Sequence, residues 1–79
     1  MIEVYSSEEC PQCAATKRFL SSKSIPFTPI MVAAESPEAD FLKTRGQMSL
    51  PVIIIKDEAG QEVDTWTGFR MDKLLRLPK

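Results

Sequence analysis

Cys10-Pro11-Gln12-Cys13 contains both cysteines of a 79-residue chain, three positions apart. Thiols at this spacing close a small disulfide ring when both lie on the first turn of a helix. The flanking residues supply that setting. Ile2, Val4 and Tyr5 form a short apolar run that alternates like a strand, and Pro11 to Ser22 reads as a helix. A helix N-terminus favours negative charge, and the thiolate is the reactive form of cysteine. Strand, C-x-x-C and helix in that order are the sequence signature of a dithiol–disulfide redox site.

The rest of the composition narrows the alternatives. The chain has two cysteines and no histidine. A structural zinc site needs four ligands, usually Cys or His, and only half of them are on offer; no metal site is expected. A purely structural disulfide across so small a ring would constrain the unfolded chain very little. The net charge is -1, so no large field recruits nucleic acid or an anionic membrane. With 43% hydrophobic and 27% charged residues, the chain has the balance of one globular domain over residues 1–79, near the lower size limit for a core without staples. The longest apolar run, Leu50 to Ile55, is far too short to cross a bilayer. A first strand starting at residue 2 leaves no room for a signal peptide. A cytoplasmic protein is the expectation, and in that compartment a C-x-x-C is more often catalytic or metal-binding than structural.

The elements that must position the thiols follow in order. Met1 to Tyr5 is the first strand, with Ile2 and Val4 on one face. In the helix after Cys10, Pro11 fits the first position, where its missing N–H costs nothing. Ala14, Ala15, Phe19 and Leu20 recur at helical spacing as its inward face, and Pro26 stops it. Phe27 to Val32 reads as a strand that contains Pro29 and therefore belongs at a sheet edge. Ser36-Pro37-Glu38 opens a second helix with a capping hydroxyl, a proline at the first position and an acid in the first turn. Phe41 and Leu42 are its inward face, and Gly46 is its C-terminal cap. Val52 to Ile55 is a continuous β-branched run, buried on both faces and hence central. Asp57-Glu58-Ala59-Gly60 turns the chain into a hairpin partner, Gln61 to Trp66. A last amphipathic helix follows, with Met71, Leu74 and Leu75 inward. The order β-α-β-α-β-β-α implies an α/β domain, one four-stranded mixed sheet flanked by three helices.

That order, met together with Cys10-Pro11-Gln12-Cys13, is similar to the thioredoxin-like fold in its glutaredoxin form. Two further stretches carry the resemblance. Leu50-Pro51-Val52 looks like the segment whose proline such proteins hold in cis, facing the dithiol. Trp66-Thr67-Gly68-Phe69-Arg70 resembles the W-S-G-F-R-P signature of NrdH-redoxins, glutaredoxin-like proteins with thioredoxin-like activity that pass electrons to ribonucleotide reductase. The resemblance covers the whole chain. It departs at Pro11, where the family usually has Val or Met, at Thr67 for Ser, and at Met71 for Pro.

What the resemblance implies is a disulfide reductase whose only redox group is the Cys10–Cys13 pair, with no bound cofactor. Cys10, the more exposed thiol in this fold, attacks the substrate disulfide, and Cys13 resolves the mixed disulfide. The exposed acids Glu8 and Glu9 oppose thiolate formation while the helix start favours it; each effect is worth roughly 1 kcal/mol or less, and they partly cancel. Pro11, Gln12, Leu50, Pro51, Trp66, Thr67, Gly68, Phe69 and Arg70 are the implied partner-binding residues. The Leu50 backbone would pair with a substrate peptide as a short added strand. On composition alone Trp66 and Phe69 read as core; the resemblance moves Trp66 to the surface beside the dithiol, and has Arg70 hold the loop and contact a reductase. Arg70, Lys73, Arg76 and Lys79 form a basic stripe that reads as a solvated face. The implied partners are a flavoprotein thioredoxin reductase and ribonucleotide reductase, with the chain a monomer.

The competing reading is a glutathione-dependent dithiol glutaredoxin, which Pro11 favours. Glutathione carries two carboxylates, and glutaredoxins bind them with a basic residue before the first cysteine and a Gly-Gly-Asp-type helix start. Here Glu8-Glu9 stands in the first place and Gly68-Phe69-Arg70 in the second. A binding module without turnover, or a half-site metal binder, is the alternative from another class, and activity on a small disulfide separates it from both enzyme readings.

Overall fold

The structure, a computed structural model, describes residues 1–77. Lys79 of the basic stripe lies outside them.

The side-chain alternation of the first strand, β1 (Ile2–Ser6), sorts the fold into two cores. Ile2 and Val4 face one layer, with Leu20, Ile25, Ile53, Trp66 and Leu74, whereas Tyr5 faces the other with Leu42, Val52 and Ile54. This is the period-two rule of a strand whose two faces are both covered. The chain runs through α1 (Pro11–Ser22), β2 (Thr28–Met31), α2 (Pro37–Thr44), β3 (Val52–Lys56), β4 (Glu62–Thr67) and α3 (Met71–Leu74). Leu20 places α1 and Leu74 places α3 on the first face, and Leu42 places α2 on the second. The element order is the expected one.

The sheet order is β2-β1-β3-β4. β1 pairs in parallel with β2 and antiparallel with β3, which pairs antiparallel with β4. β2 is an edge, as Pro29 requires, and the β-branched run of β3 is interior, with Val52, Ile53 and Ile54 buried. Ser36 caps α2 through a hydrogen bond from the Ala39 N–H. Gly46, at φ +73°, closes the same helix by donating to the Lys43 carbonyl. An L-residue with a side chain is disfavoured at that angle.

Several inward faces differ from expectation. In α1 the buried positions are Cys13, Thr16 and Leu20, and Ala14 is exposed. The helix phase is set by the bulk of Leu20 and by Cys13, so the polar Thr16 goes inside and meets its hydrogen-bonding need within the helix, donating from Oγ1 to the Gln12 carbonyl at 2.9 Å. Helix α1 ends at Ser22, four residues before Pro26, and the Ile25 N–H then closes onto the Leu20 carbonyl. Phe41 is 43% exposed, stacked on Tyr5 with ring centroids 5.9 Å apart and covered by the Arg45 guanidinium. The last helix is a single turn. Leu74 is buried, but Met71 and Leu75 are 41% and 67% exposed. Of the three, only Leu74 packs into the first core.

Candidate active site

The site begins where β1 ends. A short loop, Ser7 to Glu9, delivers Cys10 to the N-cap position of α1, in extended backbone conformation, with Pro11 at the first helical position. Cys10 and Cys13 are joined as a disulfide. The Cys10 Sγ also accepts a hydrogen bond from the Cys13 backbone N–H at 3.1 Å. That N–H is one of those a helix start leaves without an internal acceptor. A backbone N–H aimed at this sulfur is the kind of donor that would stabilise a thiolate there, since a charge-assisted bond is the stronger kind.

The two sulfurs have unequal environments. Cys10 is partly exposed, in a shallow cleft of about 330 Å³ lined by Glu8, Glu9, Pro11 and Ala14. Cys13 is 1% exposed, on the inward face of α1. Cys10 is therefore the sulfur open to solvent and Cys13 the shielded one. Glu8 and Glu9 are exposed, and no ion pair reaches either of them among the described residues. A larger apolar cleft, about 400 Å³, opens at the far end of the sheet around Met1, Ile25, Phe27 and Leu77 and holds neither cysteine.

Two other segments are tied to the redox helix by hydrogen bonds. Leu50–Pro51 is a cis peptide; Leu50 is partly exposed and Pro51 buried. The Pro51 carbonyl accepts from the Gly68 N–H at 2.8 Å, which fastens the turn after β4 to the cis-proline segment. Gly68 itself has φ +81°. The Gln12 side chain, from between the two cysteines, reaches the same turn: its Oε1 accepts the Phe69 N–H at 3.1 Å. Cys10, Cys13, Gln12, Pro51, Gly68 and Phe69 thus form one assembly from three distant parts of the chain. Pro11 is exposed at its rim, and Thr67 is partly buried at the end of β4.

Trp66 requires a correction. It is 5% exposed, opposite Ile53 in the β3–β4 register, and belongs to the first core. The alternation of β4 turns it inward, and Lys73 lies over its ring at 5.8 Å. The residue that marks the signature is core, not contact surface. Phe69 is half-buried and packs against that same core.

Arg70 is exposed and forms a two-pronged ion pair with Asp72, 3.0 Å from Nε and 2.7 Å from the terminal nitrogen. Hydrogen bonding from Arg70 holds the Asp72 carboxyl below its ordinary range, and Asp72 raises Arg70 in turn. Sequence reasoning passed over Asp72, although a carboxylate two residues after an arginine at a helix start was the available signal. Of the basic stripe, Lys73 pairs with Asp64 at 3.4 Å and Arg76 is exposed. Both suit a solvated face. No cluster of three or more His, Cys, Asp or Glu side chains fit for a metal occurs among the described residues, and no helix there is long and apolar enough to cross a membrane.

Comparison with known proteins agrees with this geometry. A family model described as Glutaredoxin matches residues 2–59. The glutaredoxin-like protein NrdH of Salmonella typhimurium is 36% identical over 76 residues, spanning 96% of this chain and 86% of that protein. The NrdH protein of Lactococcus lactis subsp. cremoris is 31% identical over 77 residues, spanning 98% and 99%. Among solved structures, the NrdH-redoxin of Escherichia coli, described as a glutaredoxin-like protein with a thioredoxin-like activity profile, is similar with a TM-score of 0.84. It is 35% identical, with 99% of this chain and 95% of that chain covered.

Proposed function

The chain belongs to the glutaredoxin family, among its NrdH-redoxins, and from that premise we propose that it is a dithiol electron donor reduced by a flavoprotein thioredoxin reductase, with ribonucleotide reductase as its client. Its oxidoreductase chemistry rests on the Cys10–Cys13 disulfide. The observation that carries the reading is the asymmetry of the pair: a reachable Cys10 at a helix N-cap, facing a backbone N–H, with a buried Cys13 behind it.

The exchange runs in two steps. The reduced Cys10 thiolate attacks one sulfur of the substrate disulfide; a Cys10–substrate S–S bond forms, the substrate bond breaks, and the departing thiolate takes up a proton. Cys13, deprotonated, then attacks the Cys10 sulfur, expels the second substrate thiolate and closes the Cys10–Cys13 bond. Two electrons have passed to the substrate. Two electrons from NADPH, delivered through the reductase dithiol by the reverse exchange, restore the protein.

Glutathione fits this site poorly. Its carboxylates would approach Glu8 and Glu9, and like charge near a partly desolvated anion costs binding. Phe69 stands where glutaredoxins carry a second glycine, and Arg70 is already engaged by Asp72. Pro11 alters the ring between the sulfurs. It does not supply a carboxylate pocket. Trp66, being buried, acts as the support of the 67–70 turn, and Leu50, Pro51, Thr67, Gly68, Phe69 and Arg70 are the proposed contact residues. The test is NADPH oxidation in two coupled systems. Turnover with thioredoxin reductase and little with glutathione plus glutathione reductase is expected. Efficient glutathione turnover, indifferent to Arg70→Ala, contradicts it.

A further inference from the structure

We propose that Gln12 is the positioning residue that holds the 67–70 turn in register with the dithiol and so sets how well a reductase engages the protein. This rests on the reading of that turn as the reductase-facing surface. A glutamine on the exposed first turn of a helix ordinarily gives its amide to water. Here the side chain instead spans 57 positions of sequence to accept the Phe69 N–H at 3.1 Å. An N–H donor requires an oxygen acceptor, so the orientation of the amide is fixed by the bond it makes.

The fit is close on both sides. A Cβ built on Gly68 would stand 3.2 Å from Gln12 Oε1, tighter than ordinary contact. The Gly68 N–H is committed to the Pro51 carbonyl. The Phe69 N–H has Gln12 Oε1 as its acceptor, and the next element, α3, does not begin until Met71. Gln12 is anchored in its turn, because its carbonyl accepts the Thr16 hydroxyl. Gln12, lying between the two cysteines in sequence, is therefore a direct side-chain link from the redox helix to the turn.

Two substitutions separate the acceptor from the bulk of the side chain. Gln12→Met keeps the length and removes the oxygen; Gln12→Glu keeps an oxygen acceptor. Amide hydrogen exchange at Phe69, read by NMR in the oxidised protein, should accelerate about fivefold in Gln12→Met, the factor a single net hydrogen bond gives, and should not accelerate in Gln12→Glu. With thioredoxin reductase, KM for the protein should rise by about the same factor in Gln12→Met, with kcat unchanged, and Gln12→Glu should restore it. Reduction by dithiothreitol, which needs no docking surface, should slow less in Gln12→Met than reduction by the reductase does. Unchanged Phe69 exchange in Gln12→Met overturns the proposal. So does a dithiothreitol rate that falls in step with the reductase rate, since Gln12 would then act on the dithiol itself. If the reductase fails to turn over even the unaltered protein, the proposed function falls, and the Phe69 exchange result still decides whether Gln12 positions the turn.

Discussion

Gly68→Ala should cost the protein up to about twice what the same change costs at Gly46, because only at Gly68 does a neighbour fill the space. Both residues have positive φ, +81° and +73°. Forcing an alanine into the left-handed region costs roughly 1 kcal/mol at either position. At Gly46 nothing lies within 4 Å of the new methyl, so the cost ends there. At Gly68 the methyl meets Gln12 Oε1 at 3.2 Å. The amide must retreat by a few tenths of an ångström, which weakens the Phe69 hydrogen bond it makes, for up to about 1 kcal/mol more. The totals are therefore up to about 2 kcal/mol against about 1, and for a domain of this size each 1 kcal/mol lowers Tm by roughly 4–8 °C. Equilibrium urea unfolding of the oxidised protein measures the difference directly. In a Gln12→Ala background the contact is gone, and the Gly68→Ala cost should fall by up to about 1 kcal/mol, a coupling that a double-mutant cycle resolves. Equal costs at Gly46 and Gly68, with no coupling to Gln12, would refute the reasoning.

Three further outcomes are expected. Reduced protein should react faster with cystamine, a dication, than with glutathione disulfide. Glu8→Gln and Glu9→Gln should each narrow that ratio, roughly threefold per charge at about 7 Å in water, and added salt should erase it; a ratio indifferent to both removes the electrostatic argument against glutathione. Hydrogen bonding from Arg45 holds the Glu62 carboxyl below its ordinary value of 4.5, so the stability it adds is present above that value and lost as pH falls through the depressed one. Glu62→Gln should accordingly lower stability by about 0.5–1 kcal/mol at neutral pH, the range for an exposed pair, and by nothing in strong acid; an equal loss at both pH values would contradict the pairing. Burial, followed by the Glu3 charge, raises Tyr5 above 10.0. Tyr5 is the single tyrosine, so absorbance titration should place its midpoint above that value, and a midpoint below it would mean the Tyr5–Phe41 face is open.

The parts legible in the sequence are those decided by local rules. Pro11 and Pro37 fixed where helices start, Pro29 placed β2 at an edge, and the run Val52 to Ile55 could only be an interior strand. The spacing of Cys10 and Cys13 on a first helical turn was enough to name the chemistry. What escaped depends on register and distance. Trp66 is inward because β4 pairs with Ile53 opposite it, and a signature shared with relatives carries no information about which face a strand residue takes. Thr16 is buried ahead of Ala14 because one helix phase must serve both Leu20 and Cys13. Met71 and Leu75 looked inward on a helix of several turns, but the helix has one. The Gln12–Phe69 bond spans 57 positions, and no pattern in either segment announces it.

The division of labour between the two sulfurs is tested most directly by trapping. Reduced Cys13→Ser protein, mixed with an aryl disulfide, should release one equivalent of aryl thiolate and keep the other half bonded to Cys10, a stable adduct that mass spectrometry locates. Cys10→Ser should form no such adduct, since its remaining thiol, Cys13, is 1% exposed and out of reach. A stable adduct on Cys13 in the Cys10→Ser protein, with none on Cys10 in Cys13→Ser, would reverse the assignment and contradict the account.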